Sequence, residues 1–336
     1  MKAIAFALLL ACAASVPALA KDAFTQRADV RAFIRDMAER HAFVESELQF
    51  LFARTRRMES VLKAITPPKD PRARSWRAYR GRFVNEARIG EGLDFWRRHE
   101  AALSRAAEAH GVPEEIIVSI IGVETLYGRN AGSFRVIDAL ATLAFLYPPR
   151  ATYFRSELEQ YLLFTRDAGL DVFSVKGSYA GAIGIPQFMP GSYLRYAVDF
   201  DGDGRRDLVN NVVDAIGSVG NFLSEHGWQR NEPVTFPVTV NGDAHQLPLS
   251  AGIEPRFRIG ELDQYGIALN ESVDEDLLCA LIEFETPNKP SEFWIGLKNF
   301  YVITRYNQSS FYAMSVNALA ESIKTKMTPP EQRSAQ

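Results

Sequence analysis

A glutamate occurs where a helix would bury its apolar side chains. Residues 113–127 have helical spacing, and Ile117, Ile120 and Ile121 share a face with Glu124. An ionised carboxylate on such a face is costly, and burial favours its neutral form by raising the pKa. That would suit a general acid working near neutral pH, but a buried glutamate can also be purely structural, satisfied by neighbouring donors. The helix pattern alone leaves both interpretations open.

A glycine-rich stretch over residues 177–190 could bring the backbone close to a ligand. Gly177, Gly181 and Gly184 each lack the Cβ that would keep a ligand at a distance. The stretch has no Lys-Ser/Thr pair of the kind found in phosphate-binding loops, and Ser178 is one position away from the place of a nucleophile elbow. The spacing therefore argues against a nucleotide-binding loop and against a serine hydrolase.

Three aspartates at alternate positions form a candidate metal-binding loop. Asp199, Asp201 and Asp203 are followed by Gly204 at the sixth position, as in an EF-hand loop that binds Ca²⁺ through oxygen ligands. The twelfth position is Asn210, where an EF-hand has a bidentate glutamate. The pattern is compatible with a calcium site lacking that ligand, or with a solvated acidic turn.

The elements that must position these residues are mostly helical. Helical spacing is found over residues 29–65, 92–109, 113–127, 136–146, 152–167, 212–226 and 312–327. Alternation over residues 235–240, followed by Asn241-Gly242, predicts a hairpin. Residues 277–284 fit a buried strand, although periodicity does not exclude a helix there. We therefore predict an α+β, mainly α fold with a small β-rich insertion.

The composition indicates a globular protein that is large enough for a sizeable core. The 336 residues are 47% hydrophobic with a net charge of −3, which excludes a disordered chain and gives no electrostatic signature of nucleic-acid binding. Two cysteines are too few for a disulfide scaffold. Six basic residues between positions 69 and 82 alternate with Trp76, Tyr79 and nearby Phe83, a mixture more typical of a solvated face with aromatic anchors than of a nucleic-acid groove.

The first twenty residues have the pattern of a secretory signal peptide. Lys2 precedes an apolar run over residues 3–11, and Ala18-Leu19-Ala20 forms a cleavage site. The run is too short to span a bilayer. We expect export to the periplasm, with an outer-membrane lipoprotein anchored through Cys12 as the alternative.

The sequence around Glu124 resembles the catalytic helix of the lytic murein transglycosylase B family (glycoside hydrolase family 103). The similarity begins with GVPEEIIVSIIGVETLYG at residues 111–128 and extends in order from about residue 76 to residue 314. Further matching motifs are DALATLAF (138–145), GSYAGAIG (177–184), QFMP (187–190), YAVDF (196–200), DAIGS (214–218), HGW (226–228) and NFYVITRYN (299–307).

The resemblance implies that Glu124 is a single catalytic acid and base. Members of this family cleave the β-1,4 bond between N-acetylmuramic acid and N-acetylglucosamine without water and leave 1,6-anhydromuramyl ends. An ordinary glycosidase needs two carboxyl groups, whereas the acetamido group of the sugar can replace the second one. No catalytic cofactor is expected.

The resemblance also assigns the groove and the metal loop. The implied substrate-binding residues are Arg150, Ser178, Gln187, Tyr306, Asn307 and Tyr312. Hydroxyl-rich and aromatic side chains suit sugar rings, although any one of these tyrosines could instead be a core residue. Related enzymes close a variant calcium loop with a later aspartate, so the implied structural Ca²⁺ ligands are Asp199, Asp201, Asp203, the Arg205 carbonyl and Asp214.

Two positions depart from the family pattern. Phe222 replaces a tyrosine found in the cleft of some relatives, and Pro149 replaces an arginine beside Arg150. These changes put one hydroxyl contact and contacts to the stem peptide in doubt, without touching the acid/base role.

The expected organisation follows the family. It comprises a signal peptide (1–20), an N-terminal helical region (21–85), a lysozyme-like catalytic core with the calcium loop (86–230), the β-rich insertion (231–287), a C-terminal part of the core (288–328) and a flexible tail (329–336). The expected protein is a periplasmic monomer acting on peptidoglycan glycan strands, with no nucleic-acid partner and with cell-wall synthesis or division proteins as candidate recruiters. The alternatives are a hydrolytic muramidase on the same scaffold and a non-catalytic peptidoglycan-binding module.

Overall fold

The computed structural model describes residues 24–66 and 75–327. The predicted signal peptide, Cys12, part of the basic run at 69–82 and the predicted tail at 329–336 lie outside the described residues. Within them, no helix is both long enough and apolar enough to cross a membrane. The chain divides into two compact units, Met1–Arg57 and Met58–Gln336.

The described part of the first unit contains helices α1 (Ala28–His41) and α2 (Glu45–Arg54). α1 buries apolar side chains at i, i+3, i+4 and i+7, and its Phe33 packs edge-on against Phe52 of α2 at a ring distance of 6.0 Å. Ala42 ends α1 in a left-handed conformation with φ 56°. The helical spacing over residues 29–65 therefore corresponds to several helices, the last of which belongs to the second unit.

The second unit is built mainly from helices. They are α3 (Glu59–Ile65), α4 (Trp76–Phe83), α5 (Glu86–Arg98), α6 (Glu100–His110), α7 (Glu114–Thr125), α8 (Val136–Leu146), α9 (Ala151–Asp167), α10 (Pro190–Tyr196), α11 (Val212–Glu225), α12 (Gln246–Ser250), α13 (Lys298–Tyr306) and α14 (Ser310–Met327). The helix expected over residues 92–109 is in fact two helices, because the backbone leaves helical geometry at His99. Helices α10, α12 and α13 were not expected from the sequence pattern.

Seven strands complete the part of this unit that the structure describes. A short antiparallel pair joins β1 (Phe134–Arg135) to β2 (Lys176–Gly177). The other strands are β3 (Thr235–Val240), β4 (Phe257–Arg258), β5 (Ile267–Leu269), β6 (Leu278–Phe284) and β7 (Glu292–Gly296), which form an antiparallel sheet in the order β4-β6-β7-β3-β5. Residues 277–284 thus contain a strand, and β7 lies beyond the expected end of the insertion at residue 287. The prediction of a mainly α fold with a small β-rich region is confirmed.

Helix α7 is the helix that carries Glu124, and it is buried on nearly all sides. Ten of its twelve residues are buried, so its apolar surface is not confined to one stripe. It packs against α5, α6, α11 and α14. α7 is therefore a central, buried helix of this unit. Glu124 is the acidic residue in its last turn.

Candidate active site

Glu124 lies in the last turn of α7 and is partly buried. The hydroxyl of Tyr312, in the first turn of α14, donates a hydrogen bond to Glu124 Oε1 at 2.6 Å. Burial raises the pKa of Glu124 from its ordinary 4.5 to about 7, while the hydrogen bond from Tyr312 acts in the opposite direction with a smaller effect. A carboxyl group with this pKa can hold a proton and release it near neutral pH.

A left-handed bend directly after α7 fixes the end of the helix. Leu126, Tyr127 and Gly128 have φ values of 52°, 59° and 87°. Thr125 Oγ1 donates to the Ile185 carbonyl at 2.8 Å and accepts the Gly128 N–H at 3.0 Å, which ties the bend to the glycine-rich stretch. Non-glycine residues are strained in this conformation, so surrounding contacts must hold the bend in place.

The ring of Tyr127 supplies one of those contacts. Its hydroxyl donates to the Arg88 carbonyl at 2.9 Å. A Cβ on either Gly92 or Gly122 would come within 2.6 Å of Tyr127 atoms, so these two glycines make room for the ring. The bend that follows Glu124 is therefore anchored to α5 as well as to α7.

Ser178 and Gln187 lie on one compact loop. The Ser178 Oγ accepts the N–H groups of Ala180 and Ala182 at 3.3 and 3.0 Å, so its own proton remains to be donated. The loop folds back on itself through antiparallel bridges of Ile183 with Gly177 and with Phe188. This arrangement presents polar side chains from a backbone that is held by its own hydrogen bonds.

Gln187 occupies a constrained position at the end of this loop. Its φ is 53°, and its Nε2 donates to the carbonyls of Ala131 and Gly184 at 3.1 and 2.9 Å. The Tyr306 hydroxyl donates to the neighbouring Pro186 carbonyl at 2.6 Å. The structure thereby links the glycine-rich loop to α13.

Aromatic rings connect this loop to Glu124. The rings of Tyr306 and Tyr312 are nearly parallel, with an interplanar angle of 12° and centroids 6.4 Å apart. Phe222 packs edge-on against Tyr306 at 4.7 Å. Burial and the charge of Glu124 raise the pKa of both tyrosines, so they remain neutral hydrogen-bond donors. Glu124, Tyr312, Tyr306 and the Gln187 loop thus form one continuous group.

Tyr79 also belongs to the surroundings of Glu124, and sequence reasoning missed it. Burial and the charge of Glu124 raise the pKa of Tyr79. Its ring packs against Phe311 at 5.5 Å. The sequence placed Tyr79 among aromatic anchors of the basic run, and no spacing relates α4 to α7. Only the tertiary packing reveals this neighbour.

Arg150 and Asn307 are exposed. The Arg150 guanidinium lies over the rings of Tyr153 and Phe154, at 4.5 and 5.1 Å from their centroids. Asn307 directly follows α13, and its carbonyl accepts the Ser309 N–H at 2.7 Å. These contacts do not join either residue to the Glu124–Tyr312 pair, so their expected roles in substrate binding stay predictions.

The acidic loop brings together three of its five expected ligands. Carboxylate oxygens of Asp199, Asp201 and Asp203 lie within 4.8 Å of one another. Asp214 is buried, and its carboxylate accepts hydrogen bonds from the N–H groups of Phe200 and Asp207, both at 2.8 Å. Its expected role as a calcium ligand, like that of the Arg205 carbonyl, stays a prediction.

Comparison with known proteins places this geometry in a family. Residues 25–321 match the family model described as "Transglycosylase SLT domain". The chain is 41% identical over 309 residues to membrane-bound lytic murein transglycosylase B of Escherichia coli, an alignment that covers 89% of this chain and 84% of that protein.

Solved structures agree with the sequence match. The Escherichia coli lytic transglycosylase Slt35 in complex with calcium superposes with a TM-score of 0.79 at 40% identity, covering 91% of this chain and 94% of that one. SltB3 from Pseudomonas aeruginosa in complex with NAG-NAM-pentapeptide has a TM-score of 0.76 at 28% identity, covering 90% and 80%. The resemblance inferred from the motifs is thus confirmed, and the chain belongs to the transglycosylase SLT domain family.

Proposed function

We propose that this chain is a lytic transglycosylase that cleaves the β-1,4 bond between N-acetylmuramic acid and N-acetylglucosamine in peptidoglycan. The observation that carries the proposal is the partly buried Glu124, whose pKa is about 7 and whose Oε1 accepts a hydrogen bond from Tyr312. The relative that is 41% identical is named a lytic murein transglycosylase, which supports the same substrate for this chain.

The first step breaks the glycosidic bond. Because Tyr312 donates to Oε1, the proton of the neutral Glu124 carboxyl group resides on Oε2. Glu124 gives this proton to the glycosidic oxygen as the bond from C1 breaks, and N-acetylglucosamine leaves with a free 4-hydroxyl. The acetamido oxygen of the muramic acid stabilises the positive charge at C1, which is the substrate-assisted route.

The second step closes the anhydro ring. The Glu124 carboxylate removes the proton from the 6-hydroxyl while O6 forms a bond to C1. Glu124 thereby gains a new proton in place of the one that left with the 4-hydroxyl, and no water is consumed. Ser178 and Gln187 are proposed to bind the sugar through their side-chain polar groups, with Arg150, Tyr306 and Asn307 as further groove residues.

The products of sacculus digestion test this function. We expect muropeptides whose muramic acid ends are lighter by one water than reducing ends, as measured by mass spectrometry of purified sacculi after digestion. Reducing ends would instead identify a hydrolytic muramidase, and the absence of released fragments would identify a peptidoglycan-binding module. Either of these results would contradict the proposal.

The pH dependence of the reaction tests the role of Tyr312. The Tyr312→Phe variant loses a donor that stabilises the ionised carboxylate, so the pKa of Glu124 should rise above about 7. The basic limb of the kcat/KM profile should then move to higher pH by about 1 unit. Initial rates on sacculi between pH 5 and pH 9 measure the shift.

A matched substitution controls for the loss of a hydroxyl group. Tyr265, near the sheet, is also partly buried, and Tyr265→Phe should leave the pH profile in place. A Tyr312→Phe profile with an unmoved or lowered basic limb would show that Tyr312 does not act on Glu124.

The acidic loop is proposed to hold a structural Ca²⁺ ion. Three converging carboxylates form the oxygen-rich donor set that calcium prefers, and the related Slt35 has been solved with calcium. Asp199, Asp201, Asp203, the Arg205 carbonyl and Asp214 would bind the ion, and Asp214 also holds the loop through its two backbone hydrogen bonds. The ion would stabilise the turn that precedes α11 and would take no part in the reaction.

Thermal unfolding tests the calcium proposal. Saturating CaCl₂ should raise the Tm above the value in EDTA by roughly 5 °C, since an ion that binds only the folded state stabilises it. Asp203→Asn should remove most of this difference. Asp243→Asn, at an exposed turn elsewhere, should retain it. Equal Tm values with and without calcium in the unsubstituted protein would refute the site.

The cellular location is proposed to be the periplasm. The signal-peptide pattern over residues 1–20 supports export, and the name of the Escherichia coli relative supports association with a membrane. Lipidation at Cys12 is the alternative route to the outer membrane. The proposed enzyme is a monomer, with cell-wall synthesis or division proteins as candidate recruiters.

A further inference from the structure

A cleft of about 1400 Å³ lies between the helices and the sheet of the second unit. It is lined by the first turn of α7, by α14, by the segment leading into β3 and by β7. Glu114, at its wall, precedes Glu124 by ten residues on α7, which corresponds to about 15 Å along the helix axis. Glu124, Tyr306 and Tyr312 are not among the described residues that line the cleft, so the cleft is distinct from the site around Glu124.

All four tryptophans of the chain line this cleft. Trp76, Trp96 and Trp228 are at most 8% exposed and form its packed floor. Trp294 is only partly buried, and it points away from Ile295, which belongs to the hydrophobic core on the other face of the sheet. A large aromatic ring left open inside a cleft offers a flat apolar surface for a ligand to stack on.

Two residues that line the cleft contain buried polar atoms with no hydrogen-bond partner in the described part of the chain. Trp228 Nε1 and Thr235 Oγ1 are buried, and neither has a hydrogen-bond partner among the described residues. An unpaired buried polar atom is costly, and a native structure that keeps two of them beside one cleft calls for an explanation. A nearby ion pair, Lys324 with the buried Glu115 at 2.9 Å, joins α14 to α7 and holds the wall in place.

The charge of the lining disfavours an anionic ligand. Among the described lining residues, six carboxylates face three basic side chains. This excess of negative charge disfavours phosphates and nucleic acids, whereas carboxylates accept hydrogen bonds from hydroxyl and acetamido N–H groups. Aromatic faces combined with such acceptors match the apolar faces and polar edges of sugar rings.

We propose that this cleft is a second saccharide-binding site, which takes an N-acetylglucosamine ring, the uncharged sugar of the strand that Glu124 cleaves. The choice of ligand rests on the proposed function. Attachment at two places raises the effective concentration of the strand at Glu124. The benefit is confined to long strands, because a short oligosaccharide cannot occupy both sites.

The position of the tryptophans gives a direct assay. Tetra-N-acetylchitotetraose, an uncharged soluble saccharide, is titrated into the Glu124→Gln protein while tryptophan emission is recorded. We expect a saturable change in emission. Trp294→Phe, and separately Glu321→Arg at the exposed rim, should weaken the apparent affinity by roughly fivefold or more. Circular dichroism melting confirms that each variant is folded.

A substitution at the other site identifies the origin of the signal. Tyr306 lies beside Glu124. Tyr306→Phe should therefore leave the change in tryptophan emission unaltered if the saccharide occupies the cleft. A titration that is altered by Tyr306→Phe and insensitive to both cleft substitutions would overturn the proposal, as would the absence of any saturable change.

Activity gives an independent measure. With Glu124 intact, the ratio of the rate on sacculi to the rate on a short glycan fragment should fall at least about threefold in the cleft variants. An unchanged ratio would contradict two-point attachment. Failure of the proposed function would look different, since the unsubstituted protein would then release no anhydro products even where the titration shows binding.

Discussion

Replacing Glu124 by glutamine is expected to lower the release of anhydromuropeptides from purified sacculi by at least about a thousandfold. The amide has nearly the shape of the carboxyl group and can still accept the hydrogen bond from Tyr312. It cannot give a proton to the glycosidic oxygen or take one from the 6-hydroxyl, so both steps are lost. Quantitative mass spectrometry of the soluble products measures the effect.

The same substitution should not destabilise the fold above neutral pH. The folded-state pKa of Glu124 is raised to about 7 from 4.5, so ionisation of this group disfavours the folded state progressively as the pH rises between these values. Glutamine does not ionise, and at pH 8 the variant should be at least as stable as the unsubstituted protein. A loss of activity with no loss of stability is therefore the result that assigns a chemical role to Glu124.

Glu108 provides the matched control for this experiment. Glu108→Gln makes the same chemical change at an exposed position on α6 and should leave activity within about twofold. A Glu124→Gln protein that is folded and keeps a tenth or more of the activity would contradict the acid/base mechanism. A variant that is inactive only because it is unfolded would be recognised by its melting curve.

The helix that carries Glu124 could be predicted because its signal is local. Helical spacing over residues 113–127 and Pro113 at the start located α7 to within two residues. The argument from one apolar face was too simple, however, because α7 is buried on nearly all sides. The raised pKa comes from burial in the tertiary structure, and the partner Tyr312, which lowers the pKa, lies 188 residues further along the chain. Periodicity contains no information about such a contact.

Other parts of the site depended on tertiary structure in the same way. Tyr79 comes close to Glu124 only because α4 packs against α14, so its sequence context in a basic run was misleading. The spacing of Asp199, Asp201 and Asp203 predicted their convergence. Residue spacing did not reveal, however, that the oxygens of Asp214 accept the backbone N–H groups of Phe200 and Asp207.

The most damaging glycine substitution is expected at Gly132, just before β1. A Cβ at this position would overlap the Gly177 carbonyl and come within 2.6 Å of the Ser178 N, and both are backbone atoms that cannot rotate away. The neighbouring Ala131 carbonyl also accepts the hydrogen bond from Gln187 Nε2. Gly132→Ala should therefore displace the loop that carries Ser178 and lower the free energy of unfolding by at least about 3 kcal/mol.

Gly169→Ala is a control that measures the cost of a left-handed conformation without the steric clash at Gly132. The φ of Gly169, 64°, is also positive, but a Cβ there would meet nothing within 4 Å. Gly169→Ala should cost about 1 kcal/mol, the backbone strain alone, and should leave activity unchanged. Urea unfolding of both variants gives the difference. Similar losses in the two proteins would mean that the loop adjusts to the added methyl group, and Ser178 would then not depend on the close approach of Gly132 to β2.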